Sequence, residues 1–263
     1  MATEAGSGRT TGRGGRLTGP VLYLLSIVSM LVIWQLAATW TGNPRLFPSP
    51  AAVAAAFAAE VASGALPYNL GVTLLRVAAS FALAMLLGTA VGLAMGRSDL
   101  VDRVGLPWLL LLLNLPALVV IVLAYIWIGL TEVAAISAVA INKIPNVAVG
   151  VREGAKAVDQ RLVEMARVFR FGRTAMLRHV ILPQLYPYLA AAARSGLALV
   201  WKIVLVVELL GRSDGVGFAI GVRFQLFDVA GILAYALAFV AVVQVIEWTI
   251  LSPLERRAFR WRH

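Results

Sequence analysis

Glu164 is the one carboxylate in a stretch of 23 residues, VEMARVFRFGRTAMLRHVILPQL, that also holds four arginines and a histidine. Such a stretch offers charge for docking, on a lipid surface or on a partner, rather than groups for acid–base work. The other residues that could do chemistry are scattered through apolar runs: Asn114, Lys143, Trp201, Lys202 and Glu208. Ionisable groups at such positions are costly in a bilayer and mark candidate pathway residues. A catalytic centre is harder to assemble. With two histidines in the chain, no Ser-His-Asp arrangement or metal-ligand spacing can be composed, so the expectation is no catalytic residue and no metal.

The elements that must carry these residues are membrane spans. Charged residues make up 14% of the chain, against about 25% in soluble domains, too few to cover a soluble surface. Mean hydropathy is +0.86, and there is no cysteine. Apolar runs fall at about residues 20–40, 70–95, 104–130, 133–151, 187–210 and 228–252, near the ~20 residues needed to cross a bilayer. The third is long for one straight span, and Pro107 and Pro116 predict a bend within it. The first exceeds a signal-peptide core and lacks a clear cleavage site, so it is read as an uncleaved span. The fold class is all-α membrane protein with six transmembrane helices.

The net charge of +10 does not imply nucleic acid, because the basic residues lie between the apolar runs. With the N-terminus inside, sixteen Lys and Arg residues fall on the cytoplasmic side and three outside. That asymmetry places both termini in the cytoplasm. Residues 1–19 read as a disordered cytoplasmic tail, 20–254 as the transmembrane domain with a cytoplasmic loop at 152–183, and 255–263 as a basic cytoplasmic tail. The Glu164 stretch therefore lies on the longest internal loop. Leu162, Met165 or Ala166, and Phe169 recur at helical spacing, with Arg161, Glu164, Arg167 and Arg170 largely on other faces. Gly172 is positioned to end such a helix in a left-handed conformation. An amphipathic helix here fits either an anionic lipid surface or a groove on a soluble partner.

Glu164-Met165-Ala166, followed by Val180-Ile181-Leu182-Pro183, resembles the EAA loop of ABC transporter permeases. The chain departs from that pattern at Met165, and at Arg170, where the pattern has glycine. Further segments resemble the nitrate, sulfonate and taurine group: Phe47-Pro48-Ser49-Pro50, Leu74-Leu75-Arg76 with Phe81, Ala198-Leu199-Val200-Trp201, Glu208-Leu209-Leu210-Gly211 with Gly215-Val216-Gly217, and Leu254-Glu255-Arg256-Arg257. The resemblance implies a type I ABC importer permease fold in a bacterial inner membrane. It implies a cytoplasmic ATP-binding subunit dimer contacting Glu164, Met165, Ala166, Arg167, Arg170 and Gly172. It also implies an extracytoplasmic substrate-binding protein and a second permease copy, a homodimer by default. ATP and Mg would be held by the partner; the chain agrees in lacking a G-x-x-x-x-G-K-[ST] loop.

The polar residues in the spans keep two readings each. Lys143 either faces the pathway and recognises an anionic solute, or packs with its stem snorkelling. Lys202 and Glu208 are six residues apart, about 240° around a helix, so each needs a partner elsewhere. Asn114 beside Pro116 lines a cavity or packs at a kink, and Trp201 lines the pathway or the core. Arg76 is placed at the outer interface, Arg194 in a structural role, and Gly215-Val216-Gly217 in a turn. The alternative function is a secondary carrier or channel that works without an ATPase.

Overall fold

The computed structural model describes residues 19–251 and 253. The expected terminal segments 1–19 and 255–263 lie almost wholly outside them. Eleven α-helices are described: α1 Gly19–Thr41, α2 Pro50–Ala62, α3 Ala65–Arg97, α4 Asp99–Asn114, α5 Ala117–Ile128, α6 Glu132–Lys156, α7 Gln160–Val168, α8 Arg173–Met176, α9 Leu182–Gly211, α10 Val216–Gln225 and α11 Val229–Ile246. Two π-helical turns, Leu177–Ile181 and Glu247–Leu251, interrupt the regular winding. No strand occurs among the described residues.

Five stretches are long and apolar enough to cross a bilayer, and α4 with α5 makes a sixth, broken by 97°. The bend falls at Pro116, one of the two prolines expected to make it, while Pro107 lies inside α4. Leu115 is extended, as a residue before proline prefers, and Pro116 precedes the first turn of α5. The departure from expectation is its size, near a right angle. Two short helices were not foreseen. Ser49 caps α2 by accepting a hydrogen bond from the Ala52 N–H, with Pro50 in the first turn, where its missing donor costs nothing. Gly215 opens α10 with φ +100°, so the expected turn is instead a helix start.

α3 and α6 form the backbone of the bundle through a ridge of small residues. A methyl group on Gly88 would meet Val147, on Gly92 the Ala148 carbonyl, and on Gly96 the Cβ of Ala155. Glycine every fourth residue lets the two helices approach along most of their length, the packing mode membranes favour. Nearer the cytoplasmic end of α6, Gly154 makes room for Tyr188 of α9. The main core gathers α3, α5, α6, α9, α10 and α11 around Ala138, Val200, Val204 and Tyr235. By contrast, α1 is apolar all round and exposed, with its corner fixed by Trp34 Nε1 donating to the Pro48 carbonyl at 3.0 Å.

Candidate functional site

The cytoplasmic loop folds as a braced knob. Asp159 caps α7, accepting from the Arg161 N–H at 2.8 Å. Its own N–H donates to Gln184 Oε1 at 2.8 Å, tying the loop to the start of α9. Val163 and Ala166 turn inward onto Ala155, Val158, Val180 and Leu185. Ala166 is 1% exposed, so only a small side chain fits there. The outer face is apolar but uncovered: Leu162, Met165, Val168 and Phe169 are all exposed, Phe169 at 69%. Glu164 is exposed too, as is Arg167, which lines a cavity beside Val163.

The end of α7 differs from the expected geometry. Arg170, not Gly172, takes the left-handed conformation, at φ +54°. Phe171 N–H donates to the Ala166 carbonyl at 3.0 Å and Arg170 N–H to Arg167 at 2.9 Å, the paired bonds of a Schellman closure. Those bonds fix the left-handed residue directly after the capping Phe169, leaving Gly172 extended at the start of α8. The chain therefore makes a glycine-type turn with arginine. Beyond it, α8 runs through the π-turn into α9. Pro183 has no N–H to give, and Leu182 N–H reaches back five residues to Leu177.

At the extracytoplasmic end, Glu208 and Arg76 form a buried network. Glu208 is 0% and Arg76 4% exposed, joined at 2.8 Å. Arg76 also holds Glu132 at 2.6 Å and pairs with Asp214, and it donates to the Asp214 carbonyl at 2.9 Å. Glu208 accepts from Thr73 Oγ1 at 2.9 Å and from the Gly217 N–H at 2.8 Å. Asn69 accepts from Gly215 N–H, and Thr73 from Val216 N–H. The first turn of α10 thus lies over the carboxylate, in the orientation its dipole favours. This closeness demands glycine: a Cβ on Gly215 would sit 2.4 Å from the Glu208 carboxylate. Arg212 adds a bond to Glu132 at 2.6 Å. Arg76 is therefore inside the protein rather than at the interface, because α10 and its preceding loop cover it. A neighbouring set joins Glu60, Arg223 and Tyr235, linking α2 to α10 and α11. At the cytoplasmic end, Asp102 receives Arg152 and Lys156, fixing α4 to the end of α6.

The five expected pathway residues do not share one place. Glu208 belongs to the outer network. Trp201, 7% exposed and edge-on to Phe239 at 5.9 Å, borders a cleft of about 720 Å³ between α9 and α11. Lys202 borders the same cleft, exposed, with Arg194, Gln244 and Glu247. Asn114 is exposed at the α4–α5 break, its amide donating to the Leu110 carbonyl at 2.7 Å. Lys143 is 1% exposed beside Gly196 and Phe81, and no carboxylate pairs with it among the described residues. All three residues lie near the middle of their helices. The sequence signals for the missed partners were present: Glu208 needed a counter-charge, and Arg76 lies at the same outer depth. No group of three or more His, Cys, Asp or Glu that could hold a metal occurs among the described residues.

Six spans, an outer end closed by ion pairs and a cytoplasmic knob define an integral membrane protein. The family model for the binding-protein-dependent transport system inner membrane component matches residues 84–250, and the chain belongs to that family. It is 30% identical over 241 residues to the putative aliphatic sulfonates transport permease protein SsuC of Bacillus subtilis, covering 91% of this chain and 87% of that one. The SsuC protein of Escherichia coli is also 30% identical, over 236 residues and 89% of each chain. Among solved structures, an inward-facing form of the MetNI methionine ABC transporter aligns with a TM-score of 0.64 at 18% identity, covering 76% of this chain and 99% of that one. The chain is accordingly the inner-membrane permease of an ABC importer, working with a separate ATPase and a substrate-binding protein. The secondary-carrier alternative falls with that membership.

Proposed function

We propose that this permease couples to its ATPase through the outer face of α7 and carries a small anionic solute, as two copies around one pathway. The observation that supports the coupling role is the division of α7 into a buried inner face and an uncovered apolar outer one. A helix braced by Val163 and Ala166 and bare at Leu162, Met165 and Phe169 has the form of a knob awaiting a groove. Glu164, Arg170 and Gly172 flank it and belong to the same contact. ATP-driven closure of the partner would then move α7 as a rigid body and switch the spans between outward and inward access.

The test replaces Met165 and Phe169 together by serine. Both side chains are at least half exposed, so the chain should melt as before. Co-purification with the ATPase should fall at least tenfold, the loss of one modest anchor. Undiminished assembly of the double variant would refute the docking face.

The solute proposal rests on Lys143, a lysine near mid-membrane with no acidic neighbour among the described residues, and accords with the sulfonate relatives. Lys143→Met should leave thermal stability equal or raised, since an unpaired buried charge is replaced by an apolar chain of similar volume. Uptake of an alkanesulfonate by the reconstituted importer should nonetheless drop. Equal uptake by both forms would assign Lys143 to packing.

A further inference from the structure

A cytoplasmic cavity of about 640 Å³ lies between the end of α3, the end of α6 and the α7–α8 loop. Three arginines line it, Arg97 from α3, Arg167 from α7 and Arg173 from α8, and among the described residues no carboxylate does. None of the three has an ion-pair partner among the described residues, whereas Arg152 and Lys156 nearby are both held by Asp102. The remaining lining is largely apolar, with Leu93, Val163, Met176 and Ile181. Leu93 is one helical turn deeper than Arg97, about 6 Å further into the bilayer, so the cavity straddles the boundary between headgroups and hydrocarbon. Its upper part is cationic and its floor is greasy.

We infer that this cavity binds an anionic phospholipid of the cytoplasmic leaflet. The phosphodiester would lie among the three guanidiniums, and the glycerol and first acyl carbons against Leu93, Met176 and Ile181. Guanidinium forks match phosphate oxygens in pairs, and the inner leaflet supplies such headgroups at high local concentration. The ATPase is the weaker occupant on geometric grounds. Arg167 and Val163 lie roughly 150° around α7 from Leu162, Met165 and Phe169, so the cavity opens away from the docking face. Because its arginines come from a span, the knob and the helix after it, a bound lipid would fasten the knob to the bundle.

The experiment titrates the purified full-length chain in neutral detergent with phosphatidylglycerol, or with phosphatidylcholine, and counts bound lipid by native mass spectrometry. The wild type should retain phosphatidylglycerol in preference to phosphatidylcholine. Arg97→Gln with Arg173→Gln should weaken phosphatidylglycerol about thirtyfold, at roughly 1 kcal/mol for each basic residue removed. Lysine at both positions should restore part of the affinity, which separates loss of charge from loss of fold. A control pair of equal charge, Arg161→Gln with Arg178→Gln, lies outside the cavity and should bind as the wild type does. An equal loss in the control would reduce the effect to general surface attraction and overturn the site. Displacement of the lipid by millimolar inorganic phosphate would make it a soluble-phosphate site, and displacement by the ATPase a protein interface. Either result overturns the lipid assignment.

Discussion

The two ends of the bundle are built on opposite plans. Outside, Arg76, Arg212, Glu132, Glu208 and Asp214 complete one another, and the loop before α10 closes over them. Inside, α7 leaves an apolar face bare, and three arginines around one cavity have no acidic partner among the described residues. Burial explains the contrast. At the outer end Glu208, with 0% exposure, is satisfied within the chain, whereas the exposed groups at the inner end can wait for a partner. The outer charges are thus satisfied within the chain, while the α7 end leaves charge and apolar surface open.

The severest way to break that contrast is Arg76→Met. It strands the Glu208 carboxylate in a sealed site and leaves Glu132 and Asp214 short of a cation. Removing one member of a buried pair costs about 3–5 kcal/mol, so a large drop in melting temperature in detergent is expected. Should the variant melt with the wild type, the outer network would be ornament. Adding Glu208→Gln should recover part of the loss, because the uncompensated charge is then gone.

Ala166→Leu probes the inner end. Overfilling this site costs about 1–3 kcal/mol, and α7 can relieve it by lifting off the bundle. The spans should remain folded by circular dichroism while ATP hydrolysis uncouples from uptake. Coupled, wild-type uptake in this variant would show that the seat of α7 is looser than its packing implies.

The smallest effect belongs to Arg170→Gly. Arginine in the left-handed region costs about 1 kcal/mol relative to glycine, so the substitution should raise stability by up to that amount. A measurable decrease would mean that the arginine side chain contributes more than the turn costs, sharpening its assignment to the ATPase contact.

Much of this was legible in the sequence, and what was not has a physical cause. Hydropathy and basic-residue counts find spans and sides because the bilayer imposes both. They cannot find α2 or α10, short helices outside the apolar runs whose starts rest on Ser49 and on the glycine at 215. Depth alone put Arg76 at the interface; its burial depends on a loop more than 130 residues away in sequence. At the α7 end, Gly172 drew the left-handed assignment on residue type, while the two Schellman bonds decided for Arg170 on position. The scattered polar residues could be named singly but not grouped, since grouping requires knowing which helices face each other.

The glycine ridge carries a mechanical consequence. α6 is held at its first residue, Glu132, by Arg76 and Arg212, and backed by α3 along its length. Its far end bears the loop on which α7 sits. A helix of 25 residues extends up to about 37 Å, so tilting it by roughly 3° about the Glu132 clasp sweeps the Lys156 end through about 2 Å. The clasp is then a fulcrum, and small rotations at the outer face become arcs of atomic dimension at the inner one. The close approach that Gly88, Gly92 and Gly96 allow ties that arc to α3 along the same line.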